Sequence, residues 1–242
     1  MGLMFEELDY RPTPIGPLSL RRRRNLTDGG DVYEIKLGDE YLMTSAFTAS
    51  EIALAVHGVA ATAGDGLDIA VGGLGLGYTA KAVLDEPRVA ALVVVEYLPP
   101  VIEWHRTGLL PLGETLCADP RCRLVEGDFF AMAATPEGFD PAQPARRFDA
   151  VLVDIDHSPD ALLDARSEGF YTVAGLRAVA RHLKPGGIFG LWSNEAPQPA
   201  FLDRLGDVFA DAWAEPVTFG NATGETFTQT VYLARAADGR SA

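Results

Sequence analysis

Between Leu67 and Glu96 the chain reads LDIAVGGLGLGYTAKAVLDEPRVAALVVVE. Residues 67–71 are an apolar run long enough for a buried strand. The run ends in Gly72-Gly73-Leu74-Gly75-Leu76-Gly77, residues 76–84 read as a helix, and a second apolar run over 90–95 closes on one acid, Glu96. This is a βαβ unit with a glycine-rich first turn and a carboxylate at the tip of its second strand. Glycines let the backbone approach a ligand closely, and the acid can accept hydrogen bonds from both hydroxyls of a ribose. The unit therefore predicts a nucleoside-bearing ligand.

The glycine spacing separates two kinds of nucleoside. The dinucleotide fingerprint G-x-G-x-x-G needs its third glycine for close packing of helix on strand. Counted from Gly73, that place is held by Tyr78, which disfavours a dinucleotide dehydrogenase. Gly73, Gly75 and Gly77 give G-x-G-x-G instead, the spacing of class I S-adenosylmethionine (SAM) enzymes.

Composition narrows the partners. A chain of 242 residues can bury roughly 70–75% of its unfolded surface, so it needs no disulfide or metal staples. The net charge of −14 argues against nucleic acid and anionic membranes and suits a cationic small molecule. No apolar stretch reaches the ~18 residues of a membrane span, and the N-terminus has no signal-peptide core, so a cytoplasmic location is expected. Cys117 and Cys122 form no C-x-x-C pair and read as free thiols. His57, His105, His157 and His182 lack metal-ligand spacing, so no metal is expected.

Residues 1–46 differ from the remainder, 47–242. After Pro12, Pro14 and Pro17 come short strand-like segments over 18–25, 31–37 and 40–44, joined by turns at Asp28-Gly29-Gly30 and Gly38-Asp39. This predicts a small N-terminal antiparallel β region. The run Arg21-Arg22-Arg23-Arg24 would be split between two faces of a strand, which makes a solvated or interface strand the reading over a phosphate patch. A helix opens at Thr48-Ala49-Ser50-Glu51, with Thr48 or Ser50 as cap and capping-box spacing from Thr48 to Glu51. His57 in that helix reads as a packing residue.

From residue 67 onward strands and helices alternate. Further strands are expected over 123–125, 148–153 and 188–192, with helices over 99–105, 168–183 and 198–210 and a surface loop over 134–147. Pro185-Gly186 supplies a type II turn before the fifth strand. Two late strands over 215–219 and 227–234 would pair antiparallel at one edge. The fold predicted is a Rossmann-type α/β domain of the class I SAM-methyltransferase kind, a mostly parallel sheet with helices on both faces.

Ligands in such sheets bind beyond the carboxyl ends of the strands, where strand order switches. Those ends carry Gly73, Gly75 and Gly77 after the first strand, Glu96 after the second and Gly127-Asp128 after the third. Asp154, Asp156 and His157 follow the fourth, and Trp192-Ser193-Asn194 the fifth. Asp154 is the first candidate to take a proton from an acceptor or hold a cationic amine, with Asp156 and His157 behind it.

The segments GGLGLG, VVVE, VEGDFF, FDAVLVD, SEGFYT and LKPGG resemble those of spermidine synthases and their close relatives over residues 44–192. The resemblance implies Glu96 on the ribose hydroxyls, Asp128 on the adenine amino group and Asp154 orienting or deprotonating the attacking amine. It also implies a homodimer. Three places depart from the pattern. The family's GGGDGG has an acid where this chain has Gly75. Its Gln and Tyr-His pair are absent from Met43–Glu51, although Glu51 matches a glutamate there. Its Ser-x-Asp-Pro after the first acid is here Ile155-Asp156-His157-Ser158-Pro159. Because Gly75 cannot hold the amine of decarboxylated SAM, the first expectation is methyl transfer from SAM to a small, amine-bearing acceptor. Aminopropyl transfer from decarboxylated SAM is the alternative, and a non-catalytic nucleoside-binding or dimerisation module the third.

Overall fold

The computed structural model describes residues 4–25, 29–220 and 224–239. Four strands come first: β1 (Phe5–Thr13), β2 (Gly16–Arg24), β3 (Asp31–Leu37) and β4 (Glu40–Thr44), paired antiparallel in chain order. β1 was not expected, because its Pro12 and the prolines after it read as irregular chain. Both Pro12 and Pro17 sit at the β1–β2 hairpin end, where little of the ladder is lost. Residues 26–28 of the expected Asp28-Gly29-Gly30 turn lie outside the described residues. The arginine run does lie in a strand, and acids neutralise it from both neighbours: Arg21 faces Glu7, Arg22 Glu6, Arg23 Glu34 and Arg24 Asp31.

α1 (Ala49–Ala60) follows, without a capping side chain at Thr48. The predicted capping box does not form, because Glu51 turns inward and takes the Ser50 hydroxyl instead, at 2.7 Å. The α/β body then runs β5 (Leu67–Gly72), α2 (Tyr78–Asp85), β6 (Val89–Glu96), α3 (Pro99–Arg106), α4 (Gly113–Ala118), β7 (Cys122–Glu126), α5 (Phe129–Ala134) and β8 (Phe148–Val153). After a single 3-10 turn (Ala165–Tyr171) come α6 (Val173–Ala180), β9 (Leu183–Ser193), α7 (Pro199–Gly206), β10 (Asp211–Gly220) and β11 (Thr226–Arg235).

Two expectations change here. The helix read over 168–183 is broken at Thr172, whose extended backbone ends the 3-10 turn and whose hydroxyl caps α6 through the Gly175 N–H. The Pro185-Gly186 turn, with Gly186 at φ +71°, is a kink inside β9, since the pairing with β8 slips between Phe148 and Ala150. The six-residue helices α4 and α5 were missed, being too short to show a period.

The large sheet is ordered β10-β11-β9-β8-β5-β6-β7, with only β11 antiparallel to its β9 and β10 neighbours. β5 lies centrally, between β6 and β8, so the strand order reverses there. One face is covered by α1, α2 and α3 around Leu54, Val83, Trp104 and Leu152. The other is covered by α5, α6 and α7 around Phe129, Phe148, Phe189 and Phe201. Leu18, Leu20, Ile35 and Leu37 of the small sheet join the first core, so the N-terminal sheet packs as part of that layer.

Trp104 pins this junction. Its ring is fully buried, and its indole N–H donates to Asp9 of β1 at 2.7 Å. Burial pushes the Asp9 carboxyl up, but donation from Trp104 and Arg11 outweighs it and holds the group below its ordinary value. A hydrogen bond to a charged acceptor contributes about 1.5–3 kcal/mol. Trp104→Phe is expected to lose about 2 kcal/mol or more of unfolding free energy in urea titration; an unchanged midpoint would show that the junction does not depend on this bond.

Candidate active site

The glycine turn crosses the switch point. Gly72 ends β5 opposite both Val95 and Val153, the Gly73 N–H donates to the Val95 carbonyl at 2.9 Å, and the Asp154 N–H donates to the Gly72 carbonyl at 2.8 Å. At Gly73 φ is +92°, and a Cβ there would strike the Asp154 carbonyl. Only glycine lets the tips of β5 and β8 come this close. The turn opens into a cavity of about 680 Å³ bounded by both sheets, α1, α5, the 3-10 turn and α6. That volume is in the range of small-molecule sites.

Gly73, Gly75, Glu96, Asp128, Asp154 and Asp156 all line this cavity. Gly77 does not. It is the left-handed residue that starts α2, and a Cβ there would meet Leu116 and His105, so its glycine serves packing. Gly127 also lies off the wall, packed against Met132. His157 is turned away as well, with its Nε2 2.8 Å from Glu40 Oε1, tying the loop after β8 to β4.

The two Glu96 oxygens accept the N–H groups of Leu74 (2.9 Å) and Leu98 (2.8 Å). Burial drives its carboxyl above the ordinary value, against the pull of these amides. The Gly75 and Tyr97 amides face the same carboxylate, which stands on the cavity wall where a ribose diol would find an acceptor. Asp128 caps α5 through the Ala131 N–H and faces the same cavity, with Phe129 and Phe130 beside it. Asp156 is a different kind of acid. Ser167, Tyr171 and the Leu163 N–H all donate to it, each at 2.8 Å, and it is buried, so it anchors the 3-10 turn.

Asp154 is the acid left open to chemistry. The Thr79 hydroxyl donates to its Oδ2 at 2.6 Å. Burial, joined by the negative charge of nearby Glu51, raises its carboxyl to about 7. Glu51 is itself buried and raised, chiefly by that burial, against the pull of the Ser50 hydroxyl and of its own backbone N–H. Neither acid has an ion-pair partner among the described residues. Two carboxylates with raised proton affinity and no cation facing one cavity form a site that favours a cation, or a shared proton in its absence. Sequence reasoning placed Glu51 in a capping box and noted it as a match, and it missed Thr79; the signal was that each sits in the first turn of a helix beside the glycine turn.

The cradle also constrains what can bind. A Cβ at Gly75, where φ is +47°, would lie 2.7 Å from Met43 Sδ. The Leu76 N–H points to that sulfur at 3.0 Å, the Gly77 N–H to the Leu74 carbonyl at 2.8 Å, and the Leu74 N–H to Glu96. The Gly75 amide also faces Glu96. Every amide of the turn from Gly73 to Gly77 is therefore engaged. Arg166, a cation on the wall, is held by Asp164 at 2.6 Å and lies over the Tyr97 ring. A ligand carboxylate therefore finds no free amide or cation on the glycine and Glu96 side of this cradle.

The fold is a class I SAM-type α/β sheet preceded by a small antiparallel sheet, and solved structures share it. A spermidine synthase from Thermotoga maritima superposes with TM-score 0.70 at 17% identity, covering 96% of this chain and 73% of that one. A spermidine synthase solved in complex with the transition-state analogue AdoDATO gives 0.73 at 18%, covering 96% and 74%. No family model matches the chain. Among curated proteins, the polyamine aminopropyltransferases of two Mycobacterium tuberculosis strains and of Mycobacterium bovis are 30% identical over 185 residues, 74% of this chain. The chain spans about a third (31%) of the length of these relatives. Within its fold class, the chain is a spermidine synthase-like protein.

The raised Asp154 carboxyl fixes the sign of a pH effect. Below about pH 4 folded and unfolded chains both hold this proton. As pH rises from there through about 7, the unfolded chain releases it while the folded one keeps it, so the fold loses stability. Asp154→Asn removes that loss. In urea unfolding the variant should gain on the wild type between pH 5 and pH 8, and a pH-independent difference would contradict the assignment.

Proposed function

We propose that this chain catalyses aminopropyl transfer from decarboxylated SAM to the nitrogen of an amine. The observation that carries the reading is the Glu51–Asp154 carboxylate pair beside a glycine cradle that has no partner for a donor carboxylate. Intact SAM would bring its carboxylate into a cavity already holding two uncompensated acids. Decarboxylated SAM brings only cationic groups. This reverses the order expected from the sequence, where methyl transfer came first on the strength of Gly75; the curated relatives are named for aminopropyl transfer, and the turn amides are engaged.

When bound, a sulfonium donor supplies an activated carbon: the acceptor nitrogen bonds to it as the S–C bond breaks, and the electron pair stays on sulfur as the neutral thioether methylthioadenosine. The residues of this chain do the remainder. Glu96 would hold the donor's ribose and Asp128 its adenine amino group, both from the wall of the cavity that Gly73 also lines. Glu51 holds the donor's ammonium in the role that the acid at position 75 has in GGGDGG. Asp154, poised near neutral pH, accepts the proton lost by the acceptor nitrogen. Thr79 keeps the Asp154 carboxylate turned toward the cavity. The apolar walls exclude water, which protects the sulfonium from hydrolysis and strengthens each charge contact.

The absent acid at Gly75 supports a second reading, alkylation by SAM, and one assay separates the two. Incubation with an amine and either donor is expected to give methylthioadenosine from decarboxylated SAM. Release of S-adenosylhomocysteine from SAM, with the decarboxylated donor inert, would overturn the proposal. Asp154→Asn should lower kcat roughly 100-fold or more. Glu96→Gln should act mainly on the KM for the donor, since it binds away from the reacting bond.

A further inference from the structure

We infer that the acceptor is a primary monoamine on an apolar body, not a diamine or longer polyamine. The inference rests on the aminopropyl-transfer reading and narrows its substrate. Six acids line the cavity, and four are committed. Glu96 is held by the backbone amides around it, Asp128 caps α5, Asp156 takes three donors, and Asp164 pairs with Arg166. Glu51 and Asp154 remain. One of them meets the donor's ammonium and the other the attacking nitrogen, so no carboxylate is left for a second cation on the acceptor.

The walls agree with this count. The part of the cavity formed by the small sheet and the end of β9 is lined by Ile15, Ile35, Leu42, Met43 and Trp192. All five are apolar or aromatic, and they pack on the core shared by both sheets. A methylene chain gains from such a wall. An ammonium placed against it gives up its hydration and receives no counter-charge, which is the costly way to bury an ion. The resemblance would put a Gln and a Tyr-His pair in the segment Met43–Glu51, and this chain has neither there.

The test is calorimetric titration of the full chain with 1-aminopentane and with 1,5-diaminopentane at pH 8, with and without saturating methylthioadenosine. The monoamine is expected to bind at least tenfold more tightly than the diamine of the same length. Equal or tighter binding of the diamine overturns the inference, and so does binding of neither amine. Should methylthioadenosine fail to bind while the monoamine still wins on the chain alone, the nucleoside reading falls and the acceptor inference stands. Leu42→Glu places an acid on the wall and should move the preference toward the diamine by tenfold or more. If that variant does not fold, the wild-type ranking decides alone.

Discussion

The structure depends on the approach of Gly73 to the carbonyl of Asp154. The hydrogen bonds from Gly73 to Val95 and from Asp154 to Gly72 lock three strand tips together at the point where strand order reverses. A side chain at position 73 would push the tips of β5 and β8 apart. With none, the glycine turn lies between Glu96 on one side and Asp154 on the other, and α2 starts near enough for Thr79 to reach Asp154. The positions of Glu96 and of Asp154 thus follow from one backbone contact.

The two ends of the sheet treat charge in opposite ways. At the amino ends of the strands the acids are paired: Lys184 bridges Asp68 (3.0 Å) and Asp149 (2.7 Å), while Arg146 bridges Asp68 (2.6 Å) and Asp140 (2.9 Å). The neighbours of Asp68 and Asp140 outweigh burial and hold both below their ordinary values. At the carboxyl ends Glu51 and Glu96 are buried and Asp154 half-buried, none of them paired with a cation among the described residues, and all three are raised. Acids in that state cost stability, so their retention at one cavity is a mark of use. The basic run of β2 is absorbed by its neighbouring strands and leaves none of its charge to offset them.

The sequence made the α/β body legible because β5, β6 and β8 are apolar runs closing on a glycine turn or an acid, a pattern that depends on no distant contact. Glu96, Asp128 and Asp154 were readable for the same reason, as each sits at a strand tip. Glu51 was not, since its spacing from Thr48 suited a helix cap and only the fold turns it into the cavity. Asp156 and His157 are adjacent to Asp154 in sequence, yet one is saturated by Ser167 and Tyr171 and the other is drawn off by Glu40. Those partners lie 10 or more positions away or in another sheet, beyond any local pattern. Gly77 fits the motif by spacing but owes its identity to His105 and Leu116, which sequence alone does not bring near.

The central claim is that Glu51 and Asp154 form one proton-holding pair that a cationic amine displaces. Proton release on amine binding measures this directly, by calorimetry in buffers of different ionisation enthalpy at pH 7. With Asp154 titrating at about 7, the account predicts release of about half a proton or more per amine bound, abolished in Asp154→Asn. Amine binding with no proton release, or the same release from the variant, would contradict it.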